Sequence, residues 1–267
     1  MSSWHDFAGG LVRTSCNDGI GRLLLDNGNR KNAVTAAMWA AIPQALRRLT
    51  DDEDARVIII AGGGDQDFSA GADIGEFDTK RKDGATARPY EALNSSAFAA
   101  IRHCRVPTIA VIRGICFGGG FGIAAACDLR IADENARFSI PAARLGLAYP
   151  ADAMQDIVAG LGPQMAKVAL FTAAPLSAAK MIAAGFLLET VAADALEAEA
   201  HALAAAIASN APLALHASKL AIRAVVEQDN DLLREAEIMG METFDSQDYA
   251  EGRAAFAERR KPHFTGK

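Results

Sequence analysis

Aromatic residues are scarce in this 267-residue chain, 6% in all, and cysteine is scarcer, with Cys16, Cys104, Cys116 and Cys127 the full set. Their spacing matches no zinc or thioredoxin motif and suggests no disulfide framework, so a reduced, cytoplasmic chain is the expectation. The histidines (His5, His103, His201, His216, His263) show no H-E-x-x-H or paired spacing, and no metal site is expected. Positive charge is in deficit. Lys and Arg number 27 against 33 Asp and Glu, a net charge of −6, which excludes a general basic surface for nucleic acid and leaves open a local basic patch for an anion. A long unbroken apolar run is also missing. The best candidate, Val106–Cys127, is interrupted by Pro107, Arg113 and five glycines, a poor membrane span. Met1–Gly10 carries Trp4, His5 and Asp6 and has no apolar signal core.

What is present is an ordinary globular balance, 51% hydrophobic and 22% charged. The length allows one large domain or two small ones, with roughly 70–75% of the unfolded surface buried. Two β-rich runs, Leu11–Ser15 and Ile20–Leu25, flank a turn at Cys16–Gly19 and predict a hairpin. Thr35 reads as the cap of a helix over Ala36–Leu49, with Met38, Trp39, Ile42, Leu46 and Leu49 on one face. Val57–Ala61 predicts a buried strand. Thr79–Pro89 is charged and rich in turn formers, and predicts a surface segment; Tyr90–Cys104 predicts a helix and Val106–Arg113 a second buried strand. A short Ala-rich helix follows Gly118–Gly120, then strands near Leu129–Ala132 and Ala136–Ile140. Beyond Leu147 the patterns are helical: Ala153–Phe171 (interrupted at Gly162–Pro163), Ser177–Ala184, Asp194–Ser209, Pro212–Val226, Asp231–Met241 and Ser246–Arg260. The expectation is an α/β body over residues 1–195 and a helical region over 196–267, with no linker between them.

Two glycine-rich loops stand out. In Gly62–Ile74 (GGGDQDFSAGADI), Ser69 falls one residue short of the G-x-S-x-G nucleophile elbow, with Asp67 two positions before it. In Arg113–Asp133 (RGICFGGGFGIAAACDLRIAD), the stretch beginning at Gly120 fits G-x-G-x-x-A. Asp128 and Asp133 come too early to be the ribose-binding acid of a dinucleotide site, and Asp128 is expected to cap or pair beside the glycine-rich helix. Each loop follows a buried strand and presents backbone N–H groups at a helix start, where negative charge is favoured. On neighbouring strands they aim two donors at one oxygen, as an oxyanion hole does.

Five segments together carry a resemblance: LDNGNRKNAV (Leu25–Val34), FSAGADI (Phe68–Ile74), GGGFGIAAACDLRIA (Gly118–Ala132), ARFSIPAARLGL (Ala136–Leu147) and EGRAAFAERRKPHF (Glu251–Phe264). In order and spacing they resemble the crotonase (enoyl-CoA hydratase/isomerase) superfamily over nearly the whole chain. The resemblance implies an α/β fold, a crotonase-like spiral of ββα units with a helical C-terminal trimerisation region, assembled as a homotrimer or dimer of trimers. It implies an acyl-CoA thioester as substrate, coenzyme A entering as part of it with no separate cofactor. The oxyanion donors would be the N–H groups of Ala72 and Gly119. Contacts with the CoA ester would come from Arg30, Lys31, Ala33, Ala70, Asp73, Ile74, Phe117, Gly118, Pro141, Leu145, Phe256 and Arg259, the last two in some relatives from a neighbouring subunit.

The chain also departs from the pattern. The two glutamates with which a hydratase of this family holds water fall on Gly122 and Ala142. General acid–base groups contribute roughly 10²–10⁴-fold, so their loss argues against plain hydration. The isomerase and dehalogenase aspartate position falls on Pro150, and a decarboxylase tyrosine on Tyr149. Asp152, two residues beyond Pro150, is the nearest acid, readable as a proton carrier or as a helix N-cap. Ser139 and Arg144 are further polar candidates. The expectation is enolate chemistry with proton transfer by Asp152. Decarboxylation with Tyr149, or an acyl-CoA binder without chemistry, are the alternatives.

Overall fold

The computed structural model describes residues 3–267. Its strands are β1 (His5–Phe7), β2 (Val12–Asn17), β3 (Ile20–Leu25), β4 (Val57–Gly62), β5 (Thr108–Ile112), β6 (Ile115–Phe117), β7 (Leu129–Asp133), β8 (Arg137–Ser139), β9 (Leu176–Ser177) and β10 (Glu189–Val191). The helices are α1 (Ala36–Arg47), α2 (Phe77–Lys80), α3 (Gly84–Arg102), α4 (Gly119–Ala126), α5 (Met154–Thr172), α6 (Ala178–Ala183), α7 (Leu196–Ala208), α8 (Pro212–Glu227), α9 (Asn230–Glu242) and α10 (Gln247–Glu258).

Among the described residues one sheet has the order β1-β2-β3-β4-β5-β7-β10, antiparallel across β1-β2-β3 and parallel from β3 onward. The hairpin turn is the two-residue Asp18-Gly19, both at positive φ (49° and 75°), the geometry that matches strand twist. The continuous apolar run of β4 follows from burial of both faces. Ile58 and Ile60 pack with Met38, Trp39, Phe98 and Phe121 beneath α1, α3 and α4, whereas Val57, Ile59 and Ala61 pack against Leu196, Ala200 and Ala204 of α7. The first helix of the C-terminal region therefore covers the sheet, and α8–α10 follow it.

The expected strand Val106–Arg113 ends at Ile112. Gly114, at φ +57°, turns the chain into β6, which opens a second small sheet of order β6-β8-β9. The segment Thr79–Pro89 is not a turn-rich loop. Asp83 accepts from the N–H groups of Ala85 and Thr86 while Thr86 Oγ1 accepts from the N–H of Asp83, a reciprocal cap that starts α3 at Gly84. No helix among the described residues is long and apolar enough to cross a membrane.

Candidate active site

The site is built by register. Phe68–Ser69 runs parallel to β6: Phe68 N–H donates to Arg113 O (2.7 Å), Ser69 N–H to Ile115 O (3.0 Å), and Phe117 N–H to Ser69 O (2.9 Å). Ser69 pairs with Cys116. Three residues farther along each segment stand Ala72 and Gly119. A Cβ added to Gly119 would lie 3.4 Å from Ala72 N, and one added to Gly71 would lie 3.0 Å from Gly119 N. The two amides are neighbours.

Their surroundings leave both free to act on a ligand. On the far side of the Ala72 loop, Val34 N–H donates to Gly71 O (2.7 Å) and Asp73 N–H to Val34 O (3.0 Å). The Ala72 N–H between them has no backbone acceptor among the described residues. Gly119 is the first residue of α4, so its N–H precedes the first intrahelical bond. Glycine suits this position because a Cβ would stand 2.8 Å from Cζ2 of the fully buried Trp39 and press on it. Trp39 is itself fixed, its Nε1–H donating to the Tyr90 hydroxyl (3.2 Å), a phenol that burial pushes up to about 12.

Ala72 and Gly119 line a cavity of about 120 Å³. The cavity brings together Ala70, Ala72, Ile74, Gly118, Gly119, Pro141, Leu145 and Tyr149 of the expected residues. Others stand behind it as supports. Asp73 is buried, and its carboxylate accepts from Gly75 N–H (2.8 Å) and the Arg30 guanidinium (2.7 Å). Lys31, left-handed at φ 53°, gives its carbonyl to Ala70 N–H (2.9 Å), and Ala33 is buried with its carbonyl on Asn27 Nδ2 (2.7 Å). Phe117 sets the register through its bond to Ser69. Phe256, 89% exposed, lines a different cavity beside Tyr249 and Phe264, and Arg259 ends α10, so within one chain neither reaches the Ala72–Gly119 cavity.

Several candidates take other places. Asp152 does not line the cavity. Pro150 starts a tight turn, Ala151–Ala153, that buries Ala153 and leaves Asp152 exposed. Nor does Asp152 cap α5, whose N-cap is Ala153 with no side-chain bond. Ser69 Oγ donates to Asn32 O (2.7 Å) and accepts from Gly71 N–H (3.1 Å), so it braces the loop. Ser139 Oγ bonds Ala173 O (3.3 Å), and Arg144 is exposed. Asp128 accepts from Thr108 N–H (2.7 Å), Thr108 Oγ1 (2.9 Å) and Lys219 Nζ (2.7 Å), tying the start of β5 to α8.

The cavity also contains polar groups that motif reading missed. Arg81, Glu91 and Asn94 line it, and Glu91 is its only carboxylate among the described residues. One Glu91 oxygen pairs with Arg81 (2.5 Å) and the other accepts from Asn94 Nδ2 (3.2 Å), which fixes the carboxylate's orientation. Glu91, Asn94 and Phe98 lie at i, i+3 and i+7 of α3, one helical face, and that spacing was the available signal.

The hydratase glutamate positions are occupied differently. Ala142 lines the cavity. At Gly122 a Cβ would stand 2.5 Å from Phe98 Cζ and 2.5 Å from the Tyr149 hydroxyl, so a side chain enters only if those rings shift.

A family model described as enoyl-CoA hydratase/isomerase matches residues 15–267. The chain belongs to the enoyl-CoA hydratase/isomerase family, within the crotonase superfamily. This member is 33% identical to the crotonyl-CoA hydratase of Syntrophomonas wolfei over 247 residues, covering 92% of this chain and 94% of that one. It is 31% identical to the methylmalonyl-CoA decarboxylase of Escherichia coli over 242 residues, covering 90% and 92%. Its fold matches that of an enoyl-CoA hydratase/carnithine racemase from Magnetospirillum magneticum with a TM-score of 0.91 at 30% identity, over 100% of this chain and 97% of that one. The family acts on acyl-CoA thioesters, so the cavity belongs to an acyl-CoA enzyme family whose members run more than one reaction.

Proposed function

We propose that the protein relocates a proton on the acyl chain of a CoA thioester through an enolate, and that it does not add water. The observation that carries this reading is the convergence of the Ala72 and Gly119 amides on a cavity whose hydratase glutamate positions hold Gly122 and Ala142. As a proton leaves the α-carbon, the electron pair moves into the thioester, its C=O becomes an enolate, and the two N–H groups bind the developing O⁻. Each donor of this kind contributes roughly 2.7–4 kcal/mol in the transition state. Glu91 takes the role that Asp152 was expected to hold: its carboxylate accepts the proton and returns it farther along the chain, moving the double bond.

Arg30, Lys31 and the turn that contains them supply positive charge for the CoA phosphates, and CoA itself is the only carrier the reaction needs. Exposed Ile222, Val225, Ile238 and Met241 on α8 and α9 support self-association as a homotrimer or dimer of trimers, with Phe256 and Arg259 serving a neighbouring subunit's CoA. The cytoplasm is the compartment of this reading. A second reading, decarboxylation, is favoured by Tyr149, which lines the cavity. The E. coli decarboxylase relative supports it as well.

The test is incubation with 2-enoyl-, 3-enoyl- and malonyl-type CoA esters in D₂O, with products followed by mass. Deuterium entry and 2-/3-enoyl interconversion without hydration are expected. Release of CO₂ alone would select the second reading. Tight binding with neither exchange nor product would leave a binder.

A further inference from the structure

Each oxyanion amide belongs to a peptide unit whose carbonyl faces the other way. The Ala72 N–H shares its unit with Gly71 O, which accepts from Val34 N–H at 2.7 Å. The Gly119 N–H shares its unit with Gly118 O. That oxygen accepts two bonds, one from Gly122 N–H inside α4 (3.1 Å) and one from the Tyr149 hydroxyl (2.9 Å). A peptide whose carbonyl accepts hydrogen bonds is polarised, and its own N–H becomes a stronger donor. The helix supplies the first of these bonds by its own geometry. The second comes from a side chain 31 residues away and is an addition to the helix.

We infer that Tyr149 is a positioning residue for the oxyanion hole: its O–H fixes and polarises the Gly118–Gly119 peptide, so that the Gly119 N–H grips the enolate oxygen more strongly than the neutral thioester carbonyl. This rests on the proposed oxyanion role of Ala72 and Gly119.

Three observations support it. Gly118 sits at φ 50°, ψ −116°, a conformation that lets its carbonyl turn toward Tyr149 while the next N–H turns to the cavity. Gly122 leaves room for the hydroxyl, because any Cβ there would lie 2.5 Å from it. The position that lacks the hydratase carboxylate is thus the one that admits the tyrosine. Desolvation also pushes the Tyr149 phenol up from its ordinary value, which favours the protonated form that donates to Gly118 O. A tyrosine whose proton lies on a backbone oxygen contributes to the enolate step through the donor it polarises.

The test reads carbonyl polarisation directly. A conjugated aryl-enoyl-CoA absorbs at longer wavelength when its thioester oxygen accepts strong hydrogen bonds, and the shift needs no turnover. Wild-type protein is expected to red-shift the bound chromophore. Tyr149→Phe is expected to bind it with similar affinity and a smaller shift. Its kcat on a turned-over ester should fall about tenfold. KM and the shape of the pH profile should stay unchanged. A ring-fluorinated tyrosine at position 149, a stronger donor with the same side chain, is expected to enlarge the shift, and it decides the question if Tyr149→Phe folds poorly. A shift that neither variant alters overturns the inference and leaves the oxyanion hole standing. No shift in the wild type overturns the oxyanion reading beneath it.

Discussion

Ser69 and Cys116 form a single parallel bridge, and that one register decides where Ala72 and Gly119 meet. Both loops follow buried strands and run in step from the bridge, so three residues on each side bring the two amides together above one cavity. Neither amide needs a side chain to act. The side chains around them, Trp39 under Gly119 and Tyr149 behind Gly118, hold the backbone in place.

Gly119→Pro removes one donor at a helix position that tolerates proline's backbone. Turnover is expected to fall roughly 10²–10³-fold, the cost of losing one oxyanion donor. Gly119→Ala is the companion measurement, since it keeps the N–H but presses on Trp39. It should retain more activity than the proline variant. Equal losses in the two would assign the effect to Trp39 crowding and remove the donor role.

Glu91→Gln keeps the hydrogen-bonding shape and loses the proton acceptor. Deuterium exchange into the acyl chain is expected to fall about 10²–10⁴-fold, while CoA-ester affinity stays within a few-fold. Exchange at the wild-type rate would take the proton-carrying role away from Glu91.

The two motif loops were legible in the sequence because close backbone approach demands glycine, and glycine shows in the chain. The long strands and helices were legible through their apolar periodicity. The missed parts have physical reasons of their own. Strands β6 and β9 are too short to carry a pattern, and distant pairing with β8, the strand expected near Ala136–Ile140, makes them. The charges and Pro89 of Thr79–Pro89 hid the Asp83–Thr86 cap, a local bond pair strong enough to start a helix. Asp152 was misplaced because the direction of a side chain in a tight turn depends on which neighbour the core takes, and here it takes Ala153. Glu91 and Asn94 escaped notice because α3 meets the glycine loops only in three dimensions.

Gly122→Ala places a methyl against Phe98 and Tyr149. Overpacking of this kind costs about 1–3 kcal/mol, read as a lower midpoint in chemical denaturation. Wild-type stability would mean that the space at Gly122 is open, and that the missing hydratase carboxylate has no steric cause.

The chain's C-terminal segment gives a pH prediction. Glu251 bonds the Arg260 guanidinium (2.5 and 2.8 Å) and the His263 N–H (2.8 Å), and these hold its carboxyl at about 2. A folded-state value below the ordinary carboxylate value means that the contribution is complete above that value. It is lost as pH falls through about 2. Amide exchange at His263 should therefore be protected near neutrality and lose protection across that acid range. Glu251→Gln should be weakly protected throughout. Protection in the wild type that does not change with pH would contradict the assignment.

The proposed chemistry rests on two backbone amides that bind one thioester oxygen. A crystal structure with a non-reacting acyl-CoA analogue tests it most directly. The thioester oxygen is expected within about 2.7–3.1 Å of both Ala72 N and Gly119 N. An acyl-CoA seated in the cavity with that oxygen on any other group, or seated elsewhere on the protein, would contradict it.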